Sequence, residues 1–294
     1  MVAELARADL GLPPGGHQAV SLQRVRRQEE DLPVVTTDRG YQYDYSRGNE
    51  QMHSAQGRQR KAATMQAILQ EAIGDRLAAA AVLNLGCSTG FIDEFLAGHV
   101  ASVMGVDIDQ DAIALAQERC AASNVRFQVD DAMQLSFADE TFDVVICSQV
   151  YEHVPDPNQL MKQIHRVLRP GGVCYFAATN RWALMERHHK LPFLSWLPAP
   201  MADRYVRLLG KGDAYYERHL GYRELLKLAS AFRVDDYTGK VLLQPDRYGA
   251  AYMLGGTAKA RIAHFLYANL RGMFPGFIWL LWKPEPHDRS ANEQ

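Results

Sequence analysis

The sequence of 294 residues predicts an α/β fold, built on a largely parallel β-sheet with helices on both faces. Short apolar runs alternate with amphipathic stretches between residues 81 and 178. The runs are rich in Val, Ile and Leu, as in strands that are buried on both faces of a parallel sheet. Right-handed crossovers between such strands place helices on each side of the sheet. The predicted strands are Ala81–Leu85, Ser102–Val106, Val125–Val129, Phe142–Ser148 and Val173–Ala178.

Helices are predicted between these strands because apolar residues recur there at helical spacing. The predicted helices are Arg58–Ile73, Ile92–Ala97, Asp111–Ala122 and Asn158–Leu168. After the fifth strand, residues 181–221 hold many aromatic residues and prolines and are too long for a structureless loop in a compact domain. We therefore expect a helical, aromatic insertion that forms a lid.

The remaining chain is expected to complete the sheet. Helices are predicted over Tyr222–Ser230 and Ala258–Arg271, and the last strands are sought in Phe232–Tyr237, Lys240–Leu243 and Phe277–Trp282. The chain then divides into a weakly structured arm (1–40), a core with an N-terminal cover (41–180), the insertion (181–221), the end of the core (222–284) and a tail (285–294). The cover would include Tyr41, Tyr43, Tyr45, Met52, His53 and Arg58, or these tyrosines simply pack in an extended strand.

Composition narrows the class of protein. The net charge is -2 and the charged residues make up 22% of the chain, so no overall field attracts nucleic acid, which we do not expect as a partner. The four cysteines form no CxxC pair and no histidine completes a zinc spacing, so we expect no metal site. Reduced cysteines and an N-terminus unlike a signal peptide favour a cytoplasmic protein.

A glycine-rich turn follows the first predicted strand, as Leu85-Gly86-Cys87-Ser88-Thr89-Gly90. Glycine allows a tight turn and close approach of the backbone to a ligand, at the sheet edge where ligands bind. The turn alone is also consistent with plain packing. It lacks the GxGxxG spacing of dinucleotide-binding turns, so a pyrophosphate site is not indicated.

Acidic residues end the next two strands. Asp107 would accept hydrogen bonds from both ribose hydroxyls of a nucleoside, or it caps the next helix, a role that suits Asp109 better. Asp131 would accept the exocyclic amine of adenine, or with Asp130 it forms a turn.

Five segments occur in an order that resembles the S-adenosylmethionine (SAM)-dependent methyltransferases of the methyltransferase-11 type. That group includes ubiquinone- and menaquinone-pathway enzymes. The segments are NLGCSTGF, GVDID, VDDAMQLSF, FDVVICSQVYEHVPDP and LRPGG. The resemblance implies a Rossmann-like class I methyltransferase, with a seven-stranded, mostly parallel sheet that ends in an antiparallel strand. It also implies SAM as cofactor.

The resemblance also implies roles for individual residues. Gly86, Cys87 and Gly90 would line the methionine part of SAM. Asp107 and Ile108 would hold the ribose and the adenine edge, Asp131 and Ala132 would contact adenine, and Gln149 would lie beneath the sulfonium. Two positions depart from the family pattern: Asn84 stands where an acid is frequent, and Ser88 where a third glycine is frequent. Asn84 should hold the ammonium of SAM less strongly, and Ser88 is tolerable if its φ is negative.

Methyl transfer needs alignment, and a base if the acceptor loses a proton. His153, after the fourth strand, is the first candidate base, because a histidine of ordinary pKa titrates near neutral pH; it can equally be structural. His188, His189 and His219 are alternatives, or lie on a solvated helix face.

The aromatic insertion suits a small apolar or lipid-like acceptor, lid packing, or peripheral contact with a membrane. The leading hypothesis is an O-methyltransferase. An N- or C-methyltransferase, or a SAM-binding regulator without activity, are the alternatives; a dinucleotide oxidoreductase is disfavoured by the turn.

Overall fold

The computed structural model describes residues 54–254 and 257–285. The strands in this part of the chain are β1 (Ala81–Leu85), β2 (Ser102–Asp107), β3 (Val125–Val129), β4 (Phe142–Ser148), β5 (Leu168–Thr179), β6 (Arg233–Asp236) and β7 (Gly276–Trp282). They form one seven-stranded sheet in the order β3-β2-β1-β4-β5-β7-β6. Strand β7 runs antiparallel to both of its neighbours, and the other pairs are parallel. The predicted fold class is confirmed.

The described helices lie between the strands and after them. They are α1 (Ala55–Ile73), α2 (Phe91–Ala97), α3 (Gln110–Arg119), α4 (Pro157–Val167), α5 (Ala199–Leu208), α6 (Tyr222–Leu228), α7 (Thr238–Leu243), α8 (Ala251–Leu254) and α9 (Thr257–Leu270). Side chains cap the N-termini of α1 and α3. The Ser54 hydroxyl accepts a hydrogen bond from the Gly57 N–H, and the Asp109 carboxylate accepts one from the Ala112 N–H. No helix in residues 54–254 or 257–285 is long and apolar enough to cross a membrane.

The sheet separates two hydrophobic cores, because successive side chains of a strand point to opposite faces. Leu83 and Leu85 of β1 pack into the core that contains α4. Val82 packs into the other core, which contains Ile68 and Leu69 of α1. Both faces of the central strands are therefore covered, as the continuous apolar runs predicted.

The prediction of a strand over Lys240–Leu243 is wrong, because these residues belong to α7. Strand β6 ends at Asp236, whose carboxylate accepts a hydrogen bond from the Thr238 N–H and turns the chain into the helix. Val241 and Leu242 are buried in this helix. A short apolar run reads alike as a strand or as a buried helical turn, so periodicity did not separate the two.

The insertion over residues 181–221 is helical only in part. It contains α5 and one short 3₁₀ turn, Leu194–Trp196, and is otherwise turns and extended chain. Its two ends meet, because the Arg181 N–H donates a hydrogen bond to the Leu220 carbonyl at 3.0 Å. It has a small core of its own, formed by Leu191, Leu194, Ala202, Val206 and Tyr215.

The predicted N-terminal arm and most of the predicted cover lie outside the described residues. Tyr41, Tyr43, Tyr45, Met52 and His53 belong to that part of the chain. Arg58 lies in α1.

Candidate active site

The turn after β1 needs its two glycines. Gly86 has φ 67° and Gly90 has φ 73°, in the left-handed region where a side chain is strained. A Cβ on Gly90 would lie 2.5 Å from Cζ of Phe127, and one on Gly86 would lie 3.0 Å from Cγ2 of Val150. The backbone of this turn is therefore held close to its neighbours, at the carboxyl edge of the sheet.

Ser88 is strained rather than relaxed in this turn. Its φ is +51°, so the negative φ that would make a side chain easily tolerated at this position is not found. Its N–H donates a hydrogen bond to Oδ2 of Asp107 at 2.8 Å, and this bond holds the residue in the left-handed region. The Cys87 N–H donates to the Val106 carbonyl at 3.0 Å, so the turn is fastened to β2 at two points.

Asp107 ends β2 with both carboxylate oxygens oriented by the backbone. Oδ2 accepts from Ser88, and Oδ1 accepts from the Asp109 N–H at 3.0 Å. Burial raises the pKa of Asp107. Each oxygen has a second lone pair, so the carboxylate can still accept two hydroxyl protons. Asp109 caps α3, which is the role that the sequence suggested for it. Ile108 lies between Asp107 and Asp109 and is partly buried.

An acid that sequence reasoning missed lies beside Asn84. Asn84 is buried in β1, and its Nδ2 donates to Oδ2 of Asp93 in α2 at 2.9 Å. Asp93 is 0% exposed, its Oδ1 has no hydrogen-bond partner among the described residues, and burial raises its pKa to about 7. The only signal in the sequence was an acid on the apolar face of the helix that follows the glycine turn. A buried carboxyl group thus lies beside Asn84 and comes from the next element in the chain.

Asp130 and Asp131, which follow β3, form a turn. This was one of the two roles that the sequence suggested for Asp131. The Asp131 carboxylate accepts from the Met133 N–H at 2.8 Å, and Asp130 accepts from the Ser136 N–H at 3.1 Å. Asp131 and Ala132 are partly buried at the carboxyl end of β3. Contact of these two residues with adenine stays a prediction.

The chain after β4 is tied to β5 and to the insertion. Gln149 has φ 60°, and its side-chain oxygen accepts a hydrogen bond from the Thr179 hydroxyl. The hydroxyl of Tyr151, which is fully buried, donates to the Thr179 carbonyl at 2.5 Å and accepts from the Leu220 N–H at 3.2 Å. Sequence reasoning did not single out Tyr151, although a tyrosine in an apolar strand end is a frequent polar anchor.

His153 does not have the near-neutral pKa that motivated its choice as a base. Burial lowers its pKa to about 4, with the nearby His188 adding to the effect. Its ring meets the His188 ring edge to face, with centroids 4.9 Å apart. The preceding Glu152 is 1% exposed and both of its carboxylate oxygens lack a hydrogen-bond partner among the described residues. Burial raises the pKa of Glu152.

The insertion histidines do not lie on a solvated helix face. His219 is 7% exposed, and His188 lies with Nδ1 2.7 Å from a carboxylate oxygen of Glu186. His189 lies with Nε2 3.6 Å from Glu217. The segment that holds them is irregular, and its buried charges face the end of β4. Their position depends on tertiary packing, which the sequence pattern did not show.

Comparison with known proteins agrees with this geometry. A family model described as a methyltransferase domain matches residues 83–176, from β1 into β5. The ubiquinone biosynthesis O-methyltransferase of Coxiella burnetii is 32% identical over 163 residues, which cover 54% of this chain and 65% of that protein. The chain therefore has a Rossmann-like methyltransferase fold, and its residues 83–176 are similar to a methyltransferase domain. All of the cofactor-side residues discussed above, from Asn84 to Gln149, lie inside the segment that the family model matches.

Other relatives cover less of this chain. The ubiquinone biosynthesis O-methyltransferase of Pseudomonas fluorescens is 36% identical over 108 residues, or 36% of this chain and 47% of that protein. The matched region therefore spans less than two thirds of these curated relatives.

Solved structures share the fold. A Pyrococcus horikoshii protein superposes with a TM-score of 0.55 at 21% identity, covering 84% of this chain and all of the other. A Haloferax volcanii protein solved with a methyltransferase activator gives 0.51 at 14% identity, covering 83% and 99% of the two chains.

Proposed function

We propose that this methyltransferase binds SAM across the carboxyl ends of β1, β2 and β4 and methylates a hydroxyl oxygen of a small, lipid-like or aromatic acceptor. The observation that carries the proposal is the Asp107 carboxylate, which two backbone N–H groups orient while its remaining lone pairs stay available. Hydrogen bonds to a charged group are worth about 1.5–3 kcal/mol each, so two ribose hydroxyls would be held firmly.

The other proposed contacts with SAM come from residues at the same carboxyl edge of the sheet. Gly86, Cys87 and Gly90 would face the methionine part, where the left-handed glycines make a tight turn at the carboxyl edge of the sheet. Asn84 with Asp93, and the strained Ser88, would complete that end of the site. Ile108, Asp131 and Ala132 would lie along adenine, and Gln149 beneath the sulfonium.

SAM supplies a methyl group that is already electrophilic, so the protein has to align the acceptor and exclude water. His153 lies in the turn after β4, where an acceptor hydroxyl would approach the sulfonium. Its pKa of about 4 keeps the ring neutral at pH 7 and therefore able to accept a proton. A base in that position typically contributes about 10²–10⁴-fold to the rate. The choice of oxygen is supported by relatives named O-methyltransferases. Transfer to nitrogen or carbon, or SAM binding without catalysis, remain the alternatives.

The insertion favours an apolar acceptor. Trp196 meets both Trp182 and Phe193 edge to face, with ring centroids 5.6 and 4.9 Å apart, and the latter two rings are 42% and 48% exposed. Exposed side chains of α9, including Ile262 and Phe265, would suit peripheral contact with a membrane, which would deliver a lipid-like acceptor. All four cysteines are free thiols, in keeping with a cytoplasmic location.

Two measurements test the proposal. Calorimetric titration with SAM should show affinity at least about tenfold weaker for Asp107→Ala, because two charge-assisted hydrogen bonds are lost. The exposed Asp75→Ala is the control and should bind SAM as the unmodified protein does. Equal affinity in both variants contradicts the ribose assignment.

The second measurement is S-adenosylhomocysteine formation with a panel of alkyl-substituted phenols, amines and carbon acids. Turnover with phenols alone supports an O-methyltransferase. His153→Ala should then lower kcat while leaving SAM affinity unchanged. SAM binding without turnover on any acceptor favours the regulator instead.

A further inference from the structure

The insertion brings three metal-ligating side chains together. Glu186 and His188 precede α5, and His219 follows it near the other end of the insertion. One donor atom from each lies within 4.8 Å of the other two. The Oε1 atom of Glu186 is 2.7 Å from Nδ1 of His188 and 3.6 Å from Nε2 of His219.

These distances suit one shared ion. Ligands bound tetrahedrally at 2.0–2.1 Å from one zinc ion lie roughly 3.3 Å apart. The two separations from Glu186, 2.7 and 3.6 Å, fall on either side of that value, and the two imidazole donors lie within 4.8 Å of each other. The rings of His188 and His219 are nearly parallel, 12° between planes, with centroids 6.1 Å apart.

The imidazole of His219 lacks hydrogen-bond partners among the described residues. Both ring nitrogens of His219 are buried, and neither has a hydrogen-bond partner in the described part of the chain. The same holds for Oε2 of Glu217. A buried polar atom without a partner costs about 1–3 kcal/mol, and more for a charged group, so such an arrangement points to a missing ligand.

The donor atoms indicate the sign of that ligand. Glu186 and Glu217 are 0% and 6% exposed, so two carboxyl groups are buried beside the imidazole rings. Carboxylate oxygens and imidazole nitrogens are donors that coordinate a cation.

We propose that Glu186, His188 and His219 bind a divalent metal ion of the zinc type, with Glu217 as the nearest further carboxylate. Two imidazole nitrogens and one carboxylate are a donor set that zinc uses, whereas magnesium and calcium prefer oxygen ligands throughout. The ion joins the segment before α5 to the end of the insertion.

This assignment differs from the sequence-based expectation of no metal site. That expectation rested on short cysteine and histidine spacings. The three ligands proposed here come from positions that only the folded insertion brings together.

The test is a titration of the full-length protein, stripped of metal with a chelator, with cobalt(II) and then with zinc. One equivalent of cobalt should give the visible absorption of a low-coordinate site, zinc should displace it, and the melting temperature should rise with zinc. His188→Gln and His219→Gln should each weaken binding by more than about 100-fold, since losing even an outer-shell partner of a ligand costs 10–100-fold. The control is His99→Gln, an exposed histidine outside the cluster.

Absence of binding in the unmodified protein overturns the assignment, and so does equal affinity in both cluster variants and the control. These readouts involve neither SAM nor an acceptor. A negative result for metal binding therefore does not contradict the proposed methyl transfer. A negative result for methyl transfer likewise does not contradict the proposed metal site.

Discussion

Replacing Asp93 with asparagine should change how stability depends on pH. Burial raises the pKa of this carboxyl group from 3.8 to about 7. Between these two values the folded protein keeps the proton and the unfolded chain releases it. The free energy of unfolding therefore falls as pH rises from about 4 to about 7, and levels off above that.

The magnitude follows from the two pKa values. With 3.8 and about 7, the loss of stability relative to strongly acidic pH is about 2 kcal/mol at pH 5 and about 4 kcal/mol at pH 8. Asparagine keeps an oxygen that can accept the hydrogen bond from Asn84 Nδ2, but it does not titrate. Asp93→Asn should therefore gain about 2–3 kcal/mol over the unmodified protein on going from pH 5 to pH 8.

Urea unfolding at pH 5 and pH 8 measures this difference, with the exposed Asp75→Asn as the matched control. The control should shift little between the two pH values. If the stability difference between Asp93→Asn and the unmodified protein is the same at both pH values, Asp93 is not the buried acid described here. A larger deficit at pH 8 than at pH 5 would mean that the ionised form is the stabilising one.

Two further substitutions probe the site by packing and hydrogen bonding. Gly90→Ala should destabilise the protein by about 1–3 kcal/mol and weaken SAM binding, because its backbone is left-handed and its Cβ would meet Phe127 at 2.5 Å. Thermal unfolding and calorimetry measure both effects, and a melting temperature equal to that of the unmodified protein would contradict this account. Tyr151→Phe should cost about 1–3 kcal/mol, since the Thr179 carbonyl and the Leu220 N–H lose their shared hydroxyl partner. Hydrogen exchange at the Leu220 amide should quicken, and an unchanged rate would argue against the bond.

The strands of the sheet were predictable because their burial is recorded in local composition. Val144–Cys147 is continuously apolar, Val82–Leu85 is apolar except for Asn84, and both segments are buried. The turn from β6 into α7 was not predictable, since it depends on one carboxylate hydrogen bond rather than on periodicity.

The same distinction between local sequence and contacts from other elements applies to the residues of the candidate site. Asp107 stands at a position fixed by the strand that precedes it, so motif order located it. The pairing of Asn84 with Asp93, and the positive φ of Ser88, depend on contacts between elements that the motif does not encode. The histidines of the insertion are the extreme case, because their neighbours come from distant parts of the chain.

The closed base of the insertion has a consequence for how acceptor preference changes among related enzymes. Since Arg181 and Leu220 are hydrogen-bonded neighbours, the forty-residue excursion between them leaves and rejoins the scaffold at one place. The entropic cost of closing such an excursion grows only with the logarithm of its length, about 0.6 kcal/mol for each doubling. Natural variation, or a protein engineer, can therefore exchange the whole excursion for a longer or shorter one while the nucleoside end of the molecule keeps its shape.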